Sequence, residues 1–160
     1  MKIVIRKARP PDAEYVSGLI CRTLRQSNSG DYPQEELMRL CDLHSPEKMS
    51  MIISSRQLFV VEKDGQTAGC AALVICGDEA GTGRVTTVFV DPKFQNSGIG
   101  SALMSHLEIA AAEQGLQALY LDSSITAHAF YCKTGYEDIC DPEPEPSPEG
   151  LYPMMKHLSL

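Results

Sequence analysis

Apolar and polar positions alternate with two periods along this chain, and the switches between them outline its elements. "KIVIRKA" alternates like a strand. Asp12 is positioned to cap a helix running to about Leu24. "RQSNSGDYP" reads as a loop. Helical patterns follow in "PQEELMRLCDL" and "SPEKMSMIISS", the second with Ser45 as N-cap, Pro46 in the first turn and Glu47 behind it. In "QLFVVEKDGQTAGCAALVI" two β-type runs flank Asp64-Gly65, a strong hairpin signal. "CGDEAGTG" is a turn and "RVTTVFV" a β-branched strand. From about Gly98 the period returns to helical, with Ile99, Leu103, Leu107 and Ala110 on one stripe and Gly115 as terminator. "ALYLD" reads as a buried strand, "SSITAHAFYCKTG" as a short helix closed by Gly135, and "LYPMMKHLSL" as a returning last strand. The Pro- and Glu-rich "DPEPEPSPEG" reads as an exposed loop.

Val85–Val90, the long helix and Ala118–Asp122 then form a strand–helix–strand crossover. Such a unit makes its strands parallel, with their C-terminal ends on one edge. Residues near 95–100 and near 131 should therefore meet there, at the edge where ligands of α/β sheets bind.

Composition narrows the class. The chain has 160 residues, 43% of them hydrophobic and 22% charged, as expected for a soluble globular fold in one domain covering 1–160. The net charge of −7 argues against nucleic acid as a partner. No apolar run is long enough to span a membrane, and the N-terminus has no export signal, so a cytoplasmic location is expected. Six cysteines without a C-x-x-C pair read as reduced thiols. His44, His106, His128 and His157 are scattered, none in a ligand-type cluster with cysteine, so no metal is expected.

The chemistry concentrates at Gln95–Gly100. A glycine turn at a helix mouth exposes N–H groups suited to a phosphate or pyrophosphate, with Gly98 and Gly100 allowing close approach. It is not a Walker loop, because no Lys-Ser/Thr follows. It is not a Rossmann fingerprint either: Leu103 stands where the third glycine belongs, and "DPKFQNS" separates the turn from its strand. That spacing excludes a dinucleotide-binding oxidoreductase.

"VDPKFQNSGIGSAL" resembles the coenzyme-binding motif of the GNAT superfamily of acetyl-CoA-dependent N-acetyltransferases. "SSITAHAFYCKTGYE" resembles that family's later segment, and the start "IRKARPPDAEYVSGLI" and end "MMKHL" its first and last elements. The resemblance implies an α/β fold of the α+β type: a mixed, mostly antiparallel twisted sheet with a parallel central pair and about four helices. It implies that Gln95, Asn96, Ser97, Gly98, Ile99, Gly100 and Ser101 cradle the pyrophosphate of acetyl-CoA. Val88, Phe89 and Val90 would then run beside the pantetheine arm, with backbone groups of Val88 and Val90 offered to it. Tyr131, second aromatic of "FY", would protonate the leaving thiolate. Ser124 stands where the family usually has an Asn that touches the arm; Ser123, Ser124 or Thr126 could instead cap the short helix.

The expected reaction is acetyl transfer to a primary amine of a small molecule or peptide, by direct attack in a ternary complex. Phe130 is expected in the core. His128 could relay a proton or lie on the surface, and Cys132 points elsewhere on the helix. Many relatives place an acid on the strand before the glycine turn, where this chain has Arg84, Thr86 and Thr87. A bound water, Asp78 or Glu79, or an acceptor of lower pKa would have to compensate. Asp31, Tyr32, Glu35 and Glu36 could attract a cationic amine or simply form a solvated face. The alternative reading is a CoA-binding regulatory domain without catalysis. Family habit suggests a homodimer.

Overall fold

The computed structural model describes residues 2–77, 79–139 and 145–158. Its strands are β1 (Ile3–Lys7), β2 (Gln57–Lys63), β3 (Gln66–Ile75), β4 (Thr82–Val90), β5 (Ala118–Ser124), β6 (Glu137–Asp138) and β7 (Leu151–His157). Its helices among the described residues are α1 (Ala13–Ser27), α2 (Gln34–Leu43), α3 (Pro46–Ser55), α4 (Ile99–Glu113) and α5 (His128–Lys133), which flank the sheet. The strands form one sheet in the order β1-β2-β3-β4-β5-β7-β6. Among the described strands only β4 and β5 pair in parallel; α4 is their crossover.

The central strands are apolar on both faces because both are covered. Leu58 and Val60 of β2 pack with Val16, Ile20 and Met49 beneath α1–α3, while Phe59 and Val61 join Leu103, Leu107 and Tyr131 beneath α4 and α5. Asp64 and Gly65 both take positive φ, 51° and 82°, as a two-residue hairpin requires. Ser45 caps α3, accepting from the Lys48 amide at 3.4 Å.

Asp12 does not cap α1 as expected. It lies in a 3-10 turn, Pro10–Asp12, and its carboxylate accepts from the Arg9 amide at 2.7 Å and from both terminal nitrogens of Arg6 at 2.8 and 2.9 Å. The residue thus straps β1 to the helix entry. α1 continues past Leu24 to Ser27, shortening the expected loop. β6 had no counterpart in the sequence pattern: two residues carry no periodicity. Among the described residues no helix is long and apolar enough to cross a membrane.

Candidate active site

β4 and β5 pair only from Thr82–Ala118 to Arg84–Tyr120, while β5 stays paired with β7 through Ser124–Leu151. The strands part because β4 bulges. Its register against β3 shifts between Cys70 and Ala72, and Thr87 takes φ +57°, unusual for a β-branched residue. A wedge opens toward the C-terminal ends of the pair. At its edge the Asp91 amide donates to the Ala68 carbonyl at 2.8 Å. By the alternation of an antiparallel ladder, the peptide groups of Val90 and Val88 therefore face away from β3, toward the wedge, and those of Phe89 face β3. The Val90 carbonyl already accepts from Gln95 Nε2 at 3.0 Å and Thr23 Oγ1 at 3.3 Å, leaving its amide as the group on offer.

The glycine turn follows. Asp91, buried, accepts from the Lys93 amide at 3.1 Å and from Arg22 at 2.9 Å, which anchors the turn to α1. Gln95 also reaches back, donating to Ser27 Oγ at 2.8 Å, so its side chain braces the loop. The Ser97 hydroxyl donates to the Phe94 carbonyl. Asn96 and Gly98 take φ +60° and +82°. The first bond that closes α4 runs from Ala102 N–H to the Gly98 carbonyl at 3.0 Å. Among the described residues no acceptor meets the amides from Asn96 to Ser101, which lie at a helix N-terminus, where the dipole favours negative charge.

The two glycines have different reasons. A Cβ on Gly98 would meet nothing within 4 Å, and positive φ is what demands glycine there. A Cβ on Gly100 would lie 3.1 Å from two ring carbons of Phe130. Gly100 lets α5 pack against α4. Ile99 is buried and fixes the helix start, and Ser101 is exposed on its outer face.

Tyr131 is 6% exposed, its ring edge-on to Phe130 and Tyr136 at centroid distances of 5.2 and 5.7 Å. Among the described residues none offers its hydroxyl a hydrogen bond. Burial pushes the phenol well above its ordinary range, with the nearby Cys70 thiol adding to the shift, so the proton stays on the oxygen at neutral pH. Cys70, itself pushed up to about 12 by burial, donates to the Thr87 carbonyl at 3.3 Å. Phe130 packs against the core cluster and Cys132 is exposed. Ser124 accepts from the Ala127 amide at 3.1 Å and so caps the turn into α5. His128 is not free. Its Nε2 lies 2.9 Å from Asp138 Oδ1, its ring stacks on Tyr152 at 4.1 Å, and Cys132 Sγ sits 3.9 Å away. These ligand-type atoms of His128, Cys132 and Asp138 all lie within 4.8 Å of one another, a cluster that the scattered sequence positions hid. It pins α5, and with it Tyr131, to β6.

On the sheet face toward α1–α3 a carboxylate of β5 stands beside β4. Arg84 Nη1 donates to Asp122 Oδ2 at 3.2 Å across the opening. Asp122 is on β5, two residues beyond the last parallel pair, level with Thr86. Arg56 Nη1 reaches Thr86 and Thr87 Oγ1 at 3.2 and 3.4 Å. Glu79 is remote from the glycine turn: its carbonyl accepts from Thr82 at the start of β4, about 26 Å by strand rise from the Val90 end. Asp78 lies outside the described residues. Three of the four residues expected to attract a cation are engaged elsewhere. Asp31 accepts from Thr126, Glu36 from Arg39, and the Tyr32 hydroxyl bridges the Gly150 carbonyl and the Ile125 amide.

The model of the acetyltransferase (GNAT) domain family matches residues 54–138, more than half the chain. The chain belongs to the GNAT acetyltransferase family. An IAA acetyltransferase of Azospirillum brasilense is 32% identical over 112 residues, 68% of this GNAT chain and 69% of that protein. An amino-acid acetyltransferase of Pseudomonas fluorescens is 32% identical over 106 residues, 60% of this chain, which spans only 24% of that longer protein. The fold matches the PaiA N-acetyltransferase of Thermoplasma acidophilum, solved with coenzyme A, at TM-score 0.84 and 20% identity, over 98% of this chain and 99% of that one. It also matches N-acetylglutamate synthase of Neisseria gonorrhoeae, solved with coenzyme A and N-acetyl-glutamate, at TM-score 0.72 and 22% identity over all of this GNAT chain and 36% of that one.

Proposed function

We propose that this GNAT chain transfers an acetyl group from acetyl-CoA to a primary amine of a small molecule or peptide, by direct attack in a ternary complex. The observation that supports the reading is the early parting of β4 and β5 beside the free amides of the glycine turn, with the buried, proton-holding Tyr131 on the helix that follows β5. Acetyl-CoA supplies an activated thioester when bound. The amides from Asn96 to Ser101 would hold its pyrophosphate, with Gly98 leaving their approach open. The Val88 peptide groups and the Val90 amide would hold the pantetheine arm in the wedge. Tyr131 would give its proton to the departing sulfur. Asp122, freed from part of its bond to Arg84, would take the proton that the amine must lose, directly or through a water.

A CoA-binding domain without catalysis is the second reading; Arg84, at a position where many relatives carry an acid, favours it. Thiol release from acetyl-CoA decides between them. Release that depends on an added amine, from a panel of amino acids, polyamines, aminoglycosides and peptides, supports transfer. Thermal stabilisation by CoA with no release for any amine leaves only the binding domain.

A further inference from the structure

We infer that Arg56 forms a carboxylate subsite beside the reacting amine, so that the acceptor is a small amino acid rather than a polyamine. The inference rests on the acetyl-transfer reading for its chemistry and on the following geometry for its specificity.

Arg56 starts from a fixed point. Its amide closes α3 by donating to Ile52 at 2.9 Å, and its carbonyl accepts from Leu58 at 3.1 Å. Leu58, Ala72 and Thr86 form one row across β2, β3 and β4. The small Ala72 at the centre of that row lets a long side chain cross the sheet from Arg56 to Thr86. There the guanidinium meets only two neutral hydroxyls through one nitrogen. Among the described residues no carboxylate pairs with it, and its remaining N–H groups form the fork that fits a carboxylate.

Among the described residues the surroundings leave this cation without an acid partner. Arg84 is matched by Asp122. His44, on the same face beside Phe89 at 5.6 Å, is held neutral chiefly by burial, with Arg56 and Lys48 pushing the same way. Asp31 and Glu36 are engaged elsewhere. A polyamine would bring further positive charge toward Arg56, whose guanidinium repels it. An amino acid brings one charge for each side: its carboxylate meets Arg56 over Thr86 and Thr87, and its amine meets Asp122. One inter-strand spacing, about 4.8 Å, separates those strands before they splay, a span suited to a short amino acid.

The test uses the CoA-loaded protein and pairs of N-acetyl amino acids with the matching N-acetyl amino acid amides. These product analogues lack a titrating amine, so the carboxylate is the only difference between members of a pair. In thermal shift or calorimetry the wild type should bind at least one acid about tenfold or more tightly than its amide, as expected for a hydrogen bond to a charged group. Arg56→Gln should collapse that ratio, and Arg56→Lys should keep part of it. Equal binding of acids and amides, binding of no acid, or a ratio unchanged in Arg56→Gln overturns the inference. A kinetic arm compares amino acids with their amides and with spermidine; the Arg56→Gln loss should fall mainly on KM for the amino acids. If the wild type acetylates no amine while the binding ratio holds, it is the transfer reading that fails.

Discussion

Gly100 of α4 and Phe130 of α5 touch where a side chain would not fit: a β-carbon at Gly100 would sit 3.1 Å from the ring. Gly98, two residues earlier, faces open space at φ +82°. Substitutions at the two glycines should therefore fail differently. Gly98→Val places a side chain over the free amides and costs about 1–2 kcal/mol of backbone strain. The apo fold should survive, while the stabilisation by CoA, about 2.7 kcal/mol at a hundredfold excess over Kd, disappears. Gly100→Ala should destabilise the apo protein by about 1–3 kcal/mol through Phe130. Thermal unfolding of both variants with and without CoA checks this. Full CoA stabilisation of Gly98→Val would remove the glycine turn from the site.

The glycine turn, the hairpin at Asp64-Gly65 and the parallel β4–α4–β5 unit were legible because each has a local signal: turn chemistry, or a period sustained over many residues. The charges on the opposite sheet face were not. Arg56 and Thr86 are thirty residues apart and meet through the register of β2, β3 and β4. Asp122 meets Arg84 only because two parallel strands begin to part. His128 and Asp138 meet through β6, a strand of two residues. Asp12 looked like a helix cap because its position fitted one, yet Arg6 and the Arg9 amide hold its carboxylate.

Asp122 as the proton acceptor predicts a sharp contrast between carboxylates. Asp122→Asn should lower turnover about a hundredfold. Glu79→Gln, at the far end of β4, should stay near wild type. Steady-state rates across pH with one amine acceptor measure both. Equal rates in wild type and Asp122→Asn would leave a bound water as the acceptor.

Stability should fall on acidification in two stages. His44 is held neutral by burial, and its Nδ1–H lies 2.7 Å from the Leu40 carbonyl. Its folded pKa is below the unfolded value, so the unfolded chain takes up the proton first, and stability declines as pH drops below about 6.5. Asp12 is held below the ordinary carboxylate range, first by its hydrogen bond from Arg6. Its contribution is present above about pH 3.9 and is lost as pH falls through the lowered folded value. In urea unfolding, His44→Gln should flatten the slope between pH 7 and 5, and Asp12→Asn should flatten the slope below pH 4. A slope unchanged in either variant would assign that stage to other groups.

Tyr131→Phe isolates one proton. The ring keeps its contacts with Phe130 and Tyr136, and because the hydroxyl has no partner among the described residues, its removal breaks no bond in the apo protein. Unfolding free energy and CoA affinity should therefore change little. Turnover should fall about a hundredfold or more, the usual scale for a lost general acid. The deficit should lie in the chemical step, since a proton is demanded only as charge gathers on sulfur. Burial raises the phenol pKa, so wild type should show no basic limb from Tyr131 over the range in which the amine titrates. Single-turnover acetyl transfer, wild type beside Tyr131→Phe, reads the chemical step directly. An unchanged rate constant would reduce Tyr131 to a packing residue and assign the proton to water.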